Sequence, residues 1–163
     1  MKINQLSRRV ALGAAFATSA ATCARASGDA AGAEAALRTF LKAFENNDLA
    51  AMEASFDAAA TAFDPLVAGR KDAAPLDLAA LHRQSGMPPT MRALVQSTLK
   101  TGQGPPYRKL DPKDLLVQVE GTVATCTFHL ENPGSLARRT IVLVRRGLSW
   151  KILHIHGSNA LAQ

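Results

Sequence analysis

The chain has 163 residues, of which 47% are hydrophobic and 20% are charged. This length fits one ordinary domain and excludes a large multidomain enzyme, and the composition is that of a globular protein. The 19 basic and 13 acidic residues give a formal charge of +6. Four of the basic residues and no acidic ones lie in the first 26 residues, so the rest has 15 basic against 13 acidic residues. That near balance does not indicate a nucleic-acid-binding surface.

The first 26 residues have the pattern of an export signal. The pair Arg8-Arg9 precedes an uncharged run, and Ala24-Arg25-Ala26 has the small-x-small form of a cleavage site. The stretch from Ser7 to Leu12 resembles the twin-arginine export motif, although Ala11 stands where that motif favours an aromatic residue. The run is too short and too weakly apolar for stable membrane insertion. We expect cleavage after Ala26 and a periplasmic or secreted protein, exported by the twin-arginine route or by general secretion.

The next segment predicts two helices behind a linker at 27–34. Four apolar residues recur at the spacing i, i+3, i+4, i+7, which places them on one helical face, and they are Leu37, Phe40, Leu41 and Phe44. Asp48 is a suitable N-cap for a second helix over Leu49–Phe56.

A short strand and two more helices are predicted next. The strand covers Thr61–Phe63 and should end at Asp64-Pro65, because proline cannot donate a ladder hydrogen bond. The helices are predicted at Leu76–Arg83 and Thr90–Lys100.

The last third predicts an antiparallel sheet. Its β-branched, alternating segments are separated by Gly121, by 132–134 and by Gly147, and they cover Leu115–Val119, Val123–Leu130, Ala137–Arg146 and Ser149–Gly157. Helices followed by strands indicate an α+β domain over 35–163, with the helices on one face of a curved sheet.

This order of elements, with three motifs, resembles the nuclear transport factor two-like superfamily and in particular its SnoaL-like branch. The motifs are Asn47-Asp48-Leu49, Phe63-Asp64-Pro65 and the run from Trp150 to Ser158. The resemblance implies a cone-shaped α+β barrel, in which three helices close over a strongly curved, mostly antiparallel sheet and leave an internal pocket. It also implies a homodimer through the outer sheet face. The family includes isomerases, cyclases, dehydratases and non-catalytic association domains, so the fold does not decide the function.

The resemblance makes Asp64 a candidate catalytic residue. In the steroid isomerase branch, an aspartate before a proline at this position is the general base, and an apolar pocket raises its proton affinity. The alternative is that Asp64 only stabilises a turn. The oxyanion donors of that branch are missing, since their positions fall on Phe40 and near Val142. Steroid-isomerase chemistry by that mechanism is therefore disfavoured.

The resemblance also assigns faces to the strands. Thr125, Thr127 and His129 would point into the cone, while the alternate residues from Ala124 to Leu130, Cys126 included, would cover the dimer face. His129 would then form an acid–base pair with Asp64. Cys126, the one cysteine left after cleavage, is expected to be a buried, inert thiol.

The last strand carries a His-x-His pair. The spacing suits a metal chelate, but the resemblance turns His154 and His156 outward, so no metal is expected. The residues expected to bind the ligand are Phe40, Phe44, Phe63, Thr127, Thr140, Val142, Leu153 and Ile155.

Two functions remain open at this point. The first is an exported, homodimeric protein that holds a small, partly apolar molecule, with proton-transfer chemistry by Asp64 or His129 if it is an enzyme. That chemistry needs no organic cofactor. The second is a non-catalytic dimerisation or association module with a vestigial pocket. Neither requires nucleic acid, nor a membrane once the signal is removed.

Overall fold

A computed structural model describes residues 13–63, 86–100, 102, 104–132 and 135–161. The helices are α1 (Gly13–Glu45), α2 (Leu49–Ser55) and α3 (Pro89–Leu99). The strands are β1 (Phe56–Phe63), β2 (Lys113–Glu120), β3 (Val123–Asn132), β4 (Ser135–Arg146) and β5 (Ser149–Leu161). The predicted α+β class is confirmed. The helix predicted at Leu76–Arg83 lies outside the described residues.

Helix α1 continues through the residues predicted to form a linker. Within 27–34, Asp29 pairs with Arg145 of β4, and Ala33 is completely buried. These contacts attach the segment to the domain, whereas the boundary at Ala26 stays a prediction. Among the described residues, no helix has both the length and the hydropathy needed to cross a membrane.

The turn between α1 and α2 follows the local sequence closely. Asn47 adopts a left-handed conformation with φ of 54°, which ends α1, and the Asp48 amide donates to the Ala43 carbonyl at 2.9 Å. The Asp48 carboxylate accepts a hydrogen bond from the Ala51 amide at 3.0 Å, which confirms the predicted N-cap of α2.

The five strands form one sheet in the order β1-β5-β4-β3-β2. β1 pairs with β5 in parallel, and every other neighbouring pair is antiparallel. Two turns of the meander use glycines with positive φ, Gly121 at 57° and Gly147 at 61°, as their conformation requires. The sheet is therefore mostly antiparallel, as predicted.

The core lies between the helices and one face of this sheet, which we call the helix-facing face. Residues from β3, β4 and β5 on that face are buried against Leu37 and Phe40 of α1, and they include Ala124, Cys126, Phe128, Ile141, Leu143, Ile152 and Ile155. The Cys126 thiol is free and buried, as predicted. Burial raises its pKa to about 11, which keeps it protonated near neutral pH.

The predicted face assignment of β3 is wrong. Cys126 and Phe128 pack under the helices, whereas Thr125, Thr127 and His129 lie on the opposite face, which we call the outer face, and are only half-buried. The physical reason is the hydrophobic effect: of the two sets of alternate side chains on a strand, burial of the more apolar set stabilises the fold more. The dimer face predicted over Ala124 to Leu130 is thus part of the core.

A β-bulge changes the alternation of β5. Val142 pairs with His154, but the next residue, Leu143, pairs with Ile152, so Leu153 is the extra residue. Trp150 and Ile152 before the bulge are buried, and so is Ile155 after it. Leu153 was predicted to face the pocket, and this is wrong because it occupies the bulge.

Candidate functional site

A small pocket lies between α1, α3 and the helix-facing face of the sheet. Its volume is about 50 Å³, and its walls are Phe40, Leu41, Phe44, Met91, Leu110, Phe128, Leu130, Arg139, Ile141 and Ile155. Nine of these ten side chains are apolar, and Arg139 is the one charged residue among the described walls. The site is therefore an apolar recess with a single cation.

Three phenylalanines stiffen one side of the pocket. Phe40 and Phe44 follow each other by one turn of α1 and stack with their ring centroids 6.2 Å apart. Phe40 also meets Phe56 of β1 edge to face at 5.6 Å. Phe40 is only 2% exposed, so this wall is continuous with the core.

Arg139 enters the pocket wall from β4. It pairs with Phe128 in the β3–β4 register, whereas its neighbour Arg138 pairs with His129 and points to the outer face. The Nη1 group of Arg139 donates to the Arg138 carbonyl at 2.8 Å, and to the Ser158 carbonyl and Asn159 Oδ1 at 3.3 Å. These bonds to neutral acceptors hold the guanidinium at the end of β4 and β5.

A second arginine lies behind the pocket wall. The Arg108 guanidinium stacks on the Phe44 ring, with its Cζ 4.2 Å from the ring centroid, and donates to the Phe44 carbonyl at 2.8 Å. It also donates to the Thr98 hydroxyl at 3.3 Å. Burial lowers the pKa of Arg108, and no acidic side chain in the described part of the chain pairs with it.

The acid nearest in sequence to Phe44 is already engaged. The Glu45 carboxylate accepts a hydrogen bond from the Leu110 amide at 2.8 Å and pairs with Lys42 at 3.1 Å. The bond from the Leu110 amide, aided by Lys42, holds the pKa of Glu45 below its usual value. Glu45 thus anchors the chain at Leu110, and its charge is compensated there.

The structure brings three of the eight predicted ligand-binding residues to the pocket. Phe40, Phe44 and Ile155 line the pocket. Thr127 pairs with Thr140 on the outer face, and Val142 lies on that face as well, so these three do not line it. Leu153 occupies the bulge. The Phe63 side chain lies outside the described residues.

The two predicted catalytic residues are not brought together by the described structure. His129 lies on the outer face, with Nδ1 3.3 Å from Asp114 Oδ2 and Nε2 3.7 Å from Glu131 Oε1. The sheet separates it from the pocket, so it cannot contact a molecule held there. Asp64 lies outside the described residues. In the described ranges, no three His, Cys, Asp or Glu side chains are grouped so as to hold a metal ion.

Four residues of this site are not among the predicted ones: Arg139, Arg108, Phe128 and Ile141. The alternation of side chains along β3 and β4 is enough to predict three of them, because residues 128, 139 and 141 lie on the apolar face of their strands. Arg108 follows a proline-rich loop with no periodic pattern, and nothing in the sequence places it on Phe44.

The outer face differs from the helix-facing one in its side chains. Two cross-strand rows of side chains run over β2 to β5, and neither contains an acid, a lysine or an arginine. The first row is Leu116, Thr127, Thr140 and His156, and the second is Gln118, Thr125, Val142 and His154. Leu116 is 53% exposed. Charged residues flank these rows at both ends, with Lys113 and Arg138 at one end and Glu120 and Lys151 at the other.

Residues 82–162 match the family model of the SnoaL-like domain. Among curated proteins, none matches the chain at a significant level.

Solved structures share the fold. An NTF2-like protein of unknown function from Pseudomonas putida KT2440 aligns with a TM-score of 0.56 at 17% identity, covering 81% of this chain and 87% of its own. Another from Silicibacter pomeroyi DSS-3 gives 0.54 at 15% identity, with 82% and 98% covered. The CaMKII hub homology domain of Chlamydomonas reinhardtii gives 0.53 at 17% identity, with 83% and 99% covered. These likenesses confirm the predicted NTF2-like cone fold.

Proposed function

We propose that this chain binds a small, partly apolar molecule in the pocket between α1, α3 and the sheet. The observation that carries the proposal is the lining itself, in which nine of the ten residues are apolar and the tenth is Arg139. Ligand sites typically combine an apolar wall with a few placed polar groups that orient the ligand. The pocket has this composition, with Arg139 as the one polar residue of its described wall.

The volume limits the ligand. A cavity of about 50 Å³ is well below the roughly 300–1,000 Å³ of sites that enclose drug-sized molecules. One water molecule needs about 10–15 Å³ of such space, so the recess holds a group no larger than a few water molecules. The ligand therefore places a short apolar end inside and leaves the remainder at the mouth.

Asp64 is the candidate base for proton-transfer chemistry and lies outside the described residues. The described lining contains no side chain that exchanges a proton near neutral pH, because arginine stays protonated. His129 faces away. Replacement of Asp64 by Asn is the direct test of an isomerase, dehydratase or cyclase activity. Loss of turnover with ligand binding retained supports a general base, and unchanged turnover of any substrate found contradicts it.

Ligand binding is tested by filling the pocket. Met91 lies on α3 in the pocket wall, and Leu99 lies at the end of the same helix and is 47% exposed. Xenon enters small apolar cavities, so we expect Met91→Trp to abolish the xenon-induced NMR shifts of the wild-type protein and Leu99→Trp to retain them. Wild-type protein without xenon-induced shifts at the pocket would contradict the proposal.

A second function, homodimerisation through the outer face, is favoured by the two cross-strand rows that contain no acid, lysine or arginine. Interfaces commonly have a centre depleted in charge and a polar rim, and this face has that distribution. The solved structures that share the fold include the association domain of Caenorhabditis elegans CaMKII, with a TM-score of 0.50. The proposed interface uses Thr127 and Val142 in place of the core residues first predicted.

The oligomeric state tests this second function. We expect Thr127→Arg and Val142→Arg to convert a dimer to a monomer in sedimentation equilibrium, because each places a desolvated charge at the centre of the interface. Thr39→Arg is the matched control, since Thr39 is exposed on α1. A wild-type monomer at micromolar concentration would rule the interface out.

Export remains a proposal that rests on the first 26 residues. We expect the mature N-terminus to begin at Ser27 in the exported fraction. Replacing Arg8 and Arg9 by lysine together should retain an unprocessed precursor if the twin-arginine route is used. Normal processing of that variant would indicate general secretion, and an unprocessed wild type would contradict export.

A further inference from the structure

We infer that the free edge of β2 is a second self-association surface, at which two copies of the chain pair their β2 strands in antiparallel order. The inference goes beyond the proposed function, because it concerns the backbone at the edge of the sheet and neither the pocket nor the centre of the outer face. It follows from the topology of the sheet, the burial along β2 and the charges at the two ends of this strand.

The strand β2 lies at one edge of the sheet. It pairs with β3, and no other strand in the described part of the chain lies beside it. The turn that follows β2 has two residues, and the pair that closes it is Glu120 and Val123. In a hairpin of this type the closing pair exchanges its hydrogen bonds, and such pairs alternate along the strands with pairs that do not. The backbone N–H and C=O groups of Val117 and Val119 therefore point away from β3, towards the free edge.

The burial of side chains along β2 indicates that this edge is open. On the helix-facing face of β3, Cys126 is 0% exposed and Phe128 is 5% exposed. On the same face of β2, Val117 and Val119 are only half-buried. On the outer face, Leu116 is 53% exposed. The apolar side chains at this edge would therefore gain further burial if a strand were added beside β2.

Most of this edge lacks the features that prevent strand pairing. Edge strands of monomeric proteins usually carry prolines, charged residues or bulges that block a neighbouring strand. A bulge is present at the start of β2, where Asp114 adopts a left-handed conformation with φ of 50°. From 115 to 119, the sequence Leu-Leu-Val-Gln-Val contains neither a proline nor a charged residue. This part of the edge is thus suited to pairing with another strand.

The charges at the ends of β2 favour a second copy in antiparallel order. Lys113 lies at one end and Glu120 at the other, and both are exposed. A two-fold axis at Val117 brings Lys113 of one copy to the Glu120 end of its partner, whereas parallel pairing would place like charges side by side. The carboxylate of Asp114 does not oppose this pairing, because it lies 3.3 Å from Nδ1 of His129 on β3.

The contact is small, and this sets the range of its affinity. It adds a few backbone hydrogen bonds and covers parts of a few side chains. We therefore expect association well above the micromolar concentrations at which the outer-face dimer is tested. The edge contact would join chains, or outer-face dimers, where their local concentration is high.

Amide exchange measured by NMR on the full chain tests the inference directly. Rates are compared at about 1 mM and about 0.05 mM protein, and pairing of about nine-tenths of the chains slows exchange about tenfold. We expect this slowing at the amides of Val117 and Val119 at the higher concentration. The amide of Gln118 donates to β3 and should exchange slowly at both concentrations. Equal rates at both concentrations for Val117 and Val119 would overturn the inference.

Val117→Pro and Val117→Ala form the matched pair of variants. Proline removes the N–H that points to the free edge, while the hydrogen bonds between β2 and β3 come from the neighbouring residues. We expect Val117→Pro to abolish the concentration dependence at Val119 and Val117→Ala to retain it. The wild-type measurement stands even if Val117→Pro fails to fold.

Thr127→Arg separates this contact from the proposed outer-face dimer. It should leave the concentration dependence at Val117 and Val119 unchanged, because Thr127 lies on β3 and not at the edge. Loss of that dependence in Thr127→Arg but not in Val117→Pro would overturn the inference and leave the outer-face dimer standing. Xenon binding in the pocket is independent of both results.

An exchange of charges tests the antiparallel order. Lys113→Glu and Glu120→Lys should each weaken the association about two- to fivefold, and the double variant should restore it. Lys113 also pairs with Asp111 of its own chain at 2.8 Å, so Asp111→Asn is included in every variant and in the reference protein. The exchange rate at Val119 is again the measurement. Unchanged association in both single variants, or a double variant weaker than either, would overturn the antiparallel pairing.

Discussion

The two faces of β3 and β4 are built from alternate residues of the same strands, yet they differ in nearly every physical respect. On the helix-facing side, Cys126 and Ile141 pair across the strands and are almost completely buried. On the outer side, the next pair, Thr127 and Thr140, is half-buried. One face stabilises the fold and forms a wall of the pocket, and the other is the face that we propose as a dimer interface. A functional residue on this sheet therefore cannot be assigned until its face is known.

Stability should show the largest difference between the faces. Phe128→Ala should lower the free energy of unfolding by about 3–5 kcal/mol, since it removes a buried ring and leaves a cavity. Thr127→Ala, one residue earlier on the outer face, should cost less than about 1 kcal/mol. Urea unfolding of both variants checks this. Equal losses would mean that both faces are equally buried in solution, as in a tight dimer.

The ion pairs of two adjacent arginines at the end of β4 should also differ in stability, by a smaller amount. Arg145 pairs with Asp29 of α1, and both side chains are largely buried. Arg146 pairs with Asp57 of β1 and is more than half exposed. Arg145→Met should cost about 1 kcal/mol in the free energy of unfolding, whereas Arg146→Met should have a smaller effect. Thermal unfolding of both variants tests which one loses more stability. A larger loss of stability for Arg146→Met than for Arg145→Met would contradict the assigned faces.

The pH dependence of the outer pair should be the smallest effect. The hydrogen bond from Arg146 holds the pKa of Asp57 below its usual value. The resulting stabilisation is present above the unfolded-state pKa of about 4 and is lost as the pH falls through the lower folded-state value. The stability difference between wild type and Arg146→Met should therefore vanish in acid. A difference that persists unchanged below that range would show that the pair does not act through Asp57.

Local sequence signals predicted the elements well. The helical stripe containing Phe40 and Phe44, the Asp48 cap and the four strands of the last third are all present within a few residues of their predicted bounds. β1 is longer than the predicted Thr61–Phe63, since it begins at Phe56, where pairing with Ile152 of β5 overrides the helical pattern. That pairing joins residues almost a hundred positions apart, so no local sequence pattern predicts it.

The site was harder to predict than the fold because two non-local features decide it. The family resemblance places Thr127 and His129 on the inward face, whereas the structure places their neighbours Cys126 and Phe128 there, and a shift of one residue reverses every side chain of a strand. The apolar character of Cys126 and Phe128 would have given the right face by itself. The bulge at Leu153 then shifts the alternation of β5, and only the pairing with β4 shows where it falls.

Methyl NMR with a neutral probe tests the central claim most directly, namely that the working recess lies on the helix-facing side. Isoleucine, leucine and valine methyl groups are labelled, and butyramide is added to the full chain. We expect shifts at the methyl groups of Ile141 and Ile155 and none at Val142 or Leu116. Shifts confined to Val142 and Leu116, or none at saturating probe, would contradict it.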